Sequence, residues 1–65
     1  MSRQYLRDQR GLTLGWIDDR EADQMGYNAQ GLRKGRYDKQ HDRTYDERGL
    51  VVGFGNLLSA LIFRR

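Results

Sequence analysis

The sequence predicts an all-β protein, a small antiparallel meander of three β-hairpin repeats (about six short strands) with a short apolar C-terminal helix or strand. Three observations predict it. One phrase recurs, as Asp8-x-x-Gly11-Leu12-x-x-Gly15, Asn28-x-x-Gly31-Leu32-x-x-Gly35 and Asp46-x-x-Gly49-Leu50-x-x-Gly53. Its first Gly falls at 11, 31 and 49, and a fixed spacing near 20 residues marks one supersecondary unit used repeatedly. Apolar residues alternate after each phrase, as in Leu12, Leu14, Trp16 and in Leu50, Val52, Phe54, so each set is expected on one face of a strand. Finally, the chain has no Pro to interrupt a ladder, and all its connections are short.

The elements follow in order. The repeats occupy approximately residues 5–20, 25–40 and 43–55. In each, the leading Asp8, Asn28 or Asp46 accepts hydrogen bonds from the backbone that follows it. Gly11, Gly31 or Gly49 then supplies a positive φ, giving a type I turn that runs into a Gly bulge. Strands are expected at about 3–7, 12–17, 23–27, 32–37, 43–45 and 50–54. Gly15, Gly35 and Gly53 fall inside strands, where Gly marks a bend or a close backbone approach; three at one register suggest a sharply coiled sheet. Asp18–Glu21 and Asp38–Asp42 read as polar connecting turns. Asn56 is a good N-cap for the segment 56–65, whose Leu57, Leu58, Leu61, Ile62 and Phe63 make about two apolar turns before Arg64 and Arg65. A final strand is the competing expectation, and in either form this segment covers its own sheet or docks on another subunit.

Composition bounds the architecture. Residues 1–65 make a single domain, which buries only about 60% of its unfolded surface. Leu, Ile, Val and Phe number 14 of 65, and only nine of them lie before residue 56. So thin a core is usually helped by disulfides, a metal or a second subunit. There is no Cys, and His41 is the only His with no thiolate to help it, so neither a metal nor a cofactor is expected and a homo-oligomer is. Met1–Tyr5 opens no apolar run, and Leu57–Phe63 is far short of the ~20 residues of a membrane span. A soluble, cytoplasmic protein without a membrane partner is the expectation. Net charge is +3, divided as −1 over residues 1–30 and +4 over residues 31–65. That basic half permits an anionic partner without requiring one.

Tyr45-Asp46-x-x-Gly49-x-x-Val52-Gly53-Phe54 and Asp8-x-x-Gly11-x-x-Leu14-Gly15-Trp16 resemble the repeat of the four-fold β-flower proteins, small bacterial domains of hairpin petals with a Gly followed by an aromatic. The Tyr-Asp-x-x-Gly opening is also similar to one unit of Rhs-type repeats. This chain departs from the β-flower pattern in having three units and in placing Arg36 where an aromatic is expected. The resemblance implies a repetitive all-β fold and brings no catalytic residues.

Catalysis finds little support in the residues. There is no Cys nucleophile, and Ser2 and Ser59 have no His-Asp set around them. Asp18 and Asp19 could in principle pair as acid and base, but neighbours on a strand or turn point apart and a solvated turn is the reading, as it is for His41. Gly53-Phe54-Gly55 lacks the further glycines and the Lys of a phosphate-binding loop. The second repeat is the informative one, because it puts Lys34 and Arg36 where the others put Leu14 and Trp16 or Val52 and Phe54. One explanation is a charged edge strand that blocks unwanted pairing. The other is an anion or nucleic-acid surface of Arg33, Lys34, Arg36, Tyr37 and Lys39, with Tyr27 and Trp16 as further stacking platforms. The sequence thus points to a non-enzymatic, oligomeric binding module whose self-association uses Leu57, Leu58, Leu61, Ile62 and Phe63. A nucleic-acid-binding accessory protein using the basic second repeat is the alternative. A small enzyme with a site assembled between subunits comes last.

Overall fold

A computed structural model describes residues 2–63 of the chain. Six strands follow one another: β1 (Ser2–Arg7), β2 (Thr13–Asp19), β3 (Asp23–Asn28), β4 (Arg33–Asp38), β5 (Arg43–Asp46) and β6 (Val51–Phe54). They form one antiparallel sheet in the order β1-β2-β3-β4-β5-β6, and a single helix, α1 (Leu58–Phe63), closes the chain. The all-β meander expected from the repeats is the architecture of the protein, and the C-terminal segment is a helix rather than a seventh strand.

The repeated phrase builds the same hairpin three times. Gly11 N donates to Asp8 O, Gly31 N to Asn28 O and Gly49 N to Asp46 O, all at 3.0 Å. In each turn one side-chain oxygen of the leading residue also accepts two backbone N–H groups, those of Arg10 and Leu12, Gln30 and Leu32, or Arg48 and Leu50. The three glycines have φ between 83° and 86°, a conformation in which a Cβ would crowd the backbone.

Each hairpin also carries a bulge in its second strand. Leu6 faces Gly15 but Arg7 faces Thr13, so Leu14 is the extra residue. In the same way Lys34 is extra between Arg33 and Gly35, and Val52 between Val51 and Gly53. A bulge breaks the strict two-residue alternation. This corrects the expectation that Leu12, Leu14 and Trp16, or Leu50, Val52 and Phe54, occupy one face.

One face of the sheet receives the helix. Leu58, Leu61 and Ile62 pack with Ile17 into the core, and Leu6 and Tyr37 lean against it. Burying each such aliphatic side chain contributes about 1.5–3 kcal/mol. The strand glycines make the seat. A Cβ on Gly35 would lie 2.5 Å from Tyr45 O and 2.6 Å from the Leu61 side chain, and one on Gly26 would lie 3.2 Å from Ile62. Their service is close approach of the helix. The chain leaves β6 through a clamp on the fully buried Thr44, whose hydroxyl donates to Gly55 O at 2.6 Å and accepts Leu57 N–H at 3.0 Å. Asn56 caps the helix by accepting Leu58 N–H at 3.2 Å and is itself held by Gln24 at 2.7 Å.

Candidate functional site

Among the described residues no secondary structure covers the face of the sheet away from α1, and its cross-strand register lines up a continuous row. Tyr5 pairs with Trp16 and Trp16 with Tyr27. Beyond Tyr27 the row meets Arg33, and one rung over, Arg36 pairs with Tyr45. Rings that face each other across strands interact directly. Trp16 and Tyr27 stack at 5.6 Å between centroids with 23° between planes, and Tyr5 meets Trp16 at 6.1 Å.

Arginines cap these rings. Arg3 lies 5.1 Å from the Trp16 ring centroid, Arg7 5.7 Å from Tyr5, Arg36 5.1 Å from Tyr45 and Arg43 5.5 Å from Phe54. Each is within cation–π range. The layer is dense enough that Met25 and Asp23, in the middle of the face, are buried although no helix covers them. Trp16 Nε1 is buried as well and has no hydrogen-bond partner among the described residues.

The charges of this face divide into two groups. Arg3 grips Asp18 through two nitrogens, at 2.6 and 3.1 Å. Arg20 makes the same fork on Asp23, at 2.7 and 2.8 Å, and Arg36 reaches Asp23 at 3.5 Å. The Arg20 hydrogen bond holds the Asp23 carboxyl below its ordinary value against the opposing effect of burial. Arg7, Arg33 and Arg43 make no ion pair with a carboxylate among the described residues. Arg33 and Arg36 converge, with Tyr45, Asp46 and Gly49, on a depression of about 240 Å³.

The residues singled out in the second repeat therefore part company. Arg33 and Arg36 lie on the open face. Lys34, the bulge residue, lines a separate hollow of about 500 Å³ with Leu14, Asn28, Ile62 and Phe63, and pairs with Glu47 at 3.7 Å. Tyr37 is on the helix side against the core, its hydroxyl bonded to Asp42, which pushes the phenol up from its ordinary pKa. Lys39 ties the β2–β3 and β4–β5 turns together, bonding Arg20 O and Asp19 at 2.7 Å each. Strand β4 lies in the middle of the sheet, so the edge-strand explanation of Lys34 and Arg36 is corrected.

Of the C-terminal residues proposed for self-association, Leu58, Leu61 and Ile62 are covered by their own sheet, while Phe63 is exposed and Leu57 half-buried. Arg3, Tyr5, Arg7, Arg43 and Tyr45 belong to the open face and escaped a reading confined to the second repeat. Their signal was the strand alternation of β1 and β5 taken together with the register of the meander. Among the described residues no group of three or more His, Cys, Asp or Glu is placed to hold a metal, and no helix is long and apolar enough to cross a membrane. No family model, curated protein or solved structure matches this chain.

Proposed function

We propose that the protein is a non-enzymatic binding module that works as a homo-oligomer and meets its partner on the open face of the sheet. The observation that carries this reading is the continuous arginine–aromatic layer running from β1 to β6 on a face that α1 leaves uncovered. The ionisable groups fit a binding role better than a catalytic one. Asp18, Asp19 and Asp23 are each engaged by a cation, from Arg3, Lys39 and Arg20 respectively, Asp38 is hydrogen-bonded to the His41 ring, and these pairs are spread over the sheet and its turns.

The partner this face favours is single-stranded nucleic acid. Arg7, Arg33 and Arg43 offer positive charge that no carboxylate of the described chain takes up, and Tyr5, Trp16, Tyr27 and Tyr45 offer rings beside them. Guanidinium groups interleaved with aromatic rings suit a strand that carries phosphates and unpaired bases. The depression between Arg33 and Arg36 is a place for one phosphate, bound in the forked geometry guanidinium groups favour.

Fluorescence anisotropy of a labelled oligothymidylate tests the reading. Binding is expected at low salt, weakening steeply as salt rises, and Arg33→Glu/Arg43→Glu is expected to lower affinity about tenfold or more. Both arginines are exposed, so the variant should keep the wild-type circular dichroism. A folded protein that does not bind at low salt excludes the nucleic-acid partner.

A further inference from the structure

The two edges of the sheet are built differently. Strand β1 carries Arg3 and Arg7, charges of the kind that discourage edge-to-edge pairing. Strand β6 pairs with β5 on one side only, and residues 50–54 are Leu-Val-Val-Gly-Phe, without a charge or a Pro. Nor are these side chains taken up by the fold. Leu50 is 58% exposed, Val51 54% and Phe54 73%. Leu57 lies against Gly53 and extends the apolar border toward the helix. Apart from its shortness and the bulge at Val52, this apolar edge carries no guard, and in a small domain with five buried hydrophobic residues among those described it is a surface that gains from being covered.

We propose that β6 is the seam on which a second copy of this chain docks, the two β6 strands pairing antiparallel about a two-fold axis near Val52. The proposal rests on the self-association reading above and supplies its surface. Antiparallel pairing of a strand with itself is self-complementary, which is what a two-fold interface demands. It sets Phe54 of one copy diagonally beside the partner's Val51, which shares its face of the sheet, so exposed apolar side chains of the two copies cover each other. It also satisfies backbone groups that β6 now leaves to water and joins two six-stranded sheets into one. Docking β6 on β1 instead would lay Arg3 and Arg7 along an apolar strand, and a head-to-tail contact of that kind does not close by itself. The open faces of both copies stay free for a partner, and the continuous sheet doubles the length of the arginine–aromatic layer.

The test uses the full chain. Light scattering after size exclusion is expected to give the mass of two chains for the wild type and half that mass for Val52→Lys, with an unchanged circular dichroism spectrum. Should Val52→Lys fail to fold, Val51→Lys makes the same measurement from a more exposed position. Because the protein has no Cys, Val52→Cys introduces its only thiol, and mild oxidation is expected to link it across the axis as a disulfide dimer. A wild type with the mass of one chain overturns self-association itself. A multimer that keeps its mass in the folded Lys variant, or that Val52→Cys does not cross-link, overturns the β6 seam while leaving self-association standing.

Discussion

Single residues carry two kinds of backbone service here, and they differ in what a methyl group would cost. At Gly31 the φ of 84° makes Ala a strained choice, although the Cβ itself would touch only the Trp16 ring edge at 3.7 Å. Gly31→Ala is expected to cost about 1–2 kcal/mol. At Gly35 the obstacle is the backbone of β5 and the Leu61 side chain, so Gly35→Ala should cost about 2–3 kcal/mol and loosen the helix. Urea denaturation of the two variants measures both. The turn glycines were legible in the sequence because an Asp or Asn three residues earlier is local turn chemistry. The purpose of Gly35 was not, because the helix that fills its space begins 23 residues later.

Titrating residues give a further expectation at this scale. Asp19, Asp23, Asp38 and Asp46 are all held below the ordinary carboxylate value. The main causes are Lys39, Arg20, His41 and the Leu50 backbone N–H, respectively. A depressed folded pKa means that the unfolded chain binds protons first as pH falls. Stability from these groups is thus full above the unfolded carboxylate value near ~4 and drains away below it, until the folded values are passed. Urea midpoints should be flat from neutral to mildly acid pH and then decline. Asp23→Asn should start lower at neutral pH and decline less steeply, because the group that Arg20 and Arg36 stabilise is gone.

Among the elements, the hairpins were legible and the side-chain faces were not. Strand limits read from the repeat agree with the sheet to within two residues, since turn chemistry and alternation are local signals. The bulges at Leu14, Lys34 and Val52 defeated the alternation, and the Gly that follows each of them was the available sign. Lys34 and Arg36 look equivalent on paper, yet one borders the helix-side hollow and the other caps Tyr45. The helix is the element on which the core depends, because three of the five buried hydrophobic side chains among the described residues belong to it. Leu58 is fully buried, and Leu58→Ala is expected to cost about 3 kcal/mol, a large part of what so small a domain possesses. Its thermal transition should fall sharply or vanish. Leu57→Ala, at a half-buried position, should cost about half as much or less.

The whole molecule is a single sheet with a helix on one face and charge-capped rings on the other. That second face was only partly visible beforehand. Arg33 and Arg36 stood out because they break a repeat, whereas Arg3, Tyr5, Arg43 and Tyr45 become neighbours through pairings between strands that no local pattern reveals. Trp16 stands within this row and is the protein's only Trp, so its emission reports on the face directly. The decisive measurement is a titration of wild-type protein with unlabelled oligothymidylate at low salt, followed by Trp16 fluorescence. Quenching is expected to saturate, to be reversed by added salt and to be lost in Arg33→Glu/Arg43→Glu. Emission that stays unchanged through the titration would contradict binding at this face.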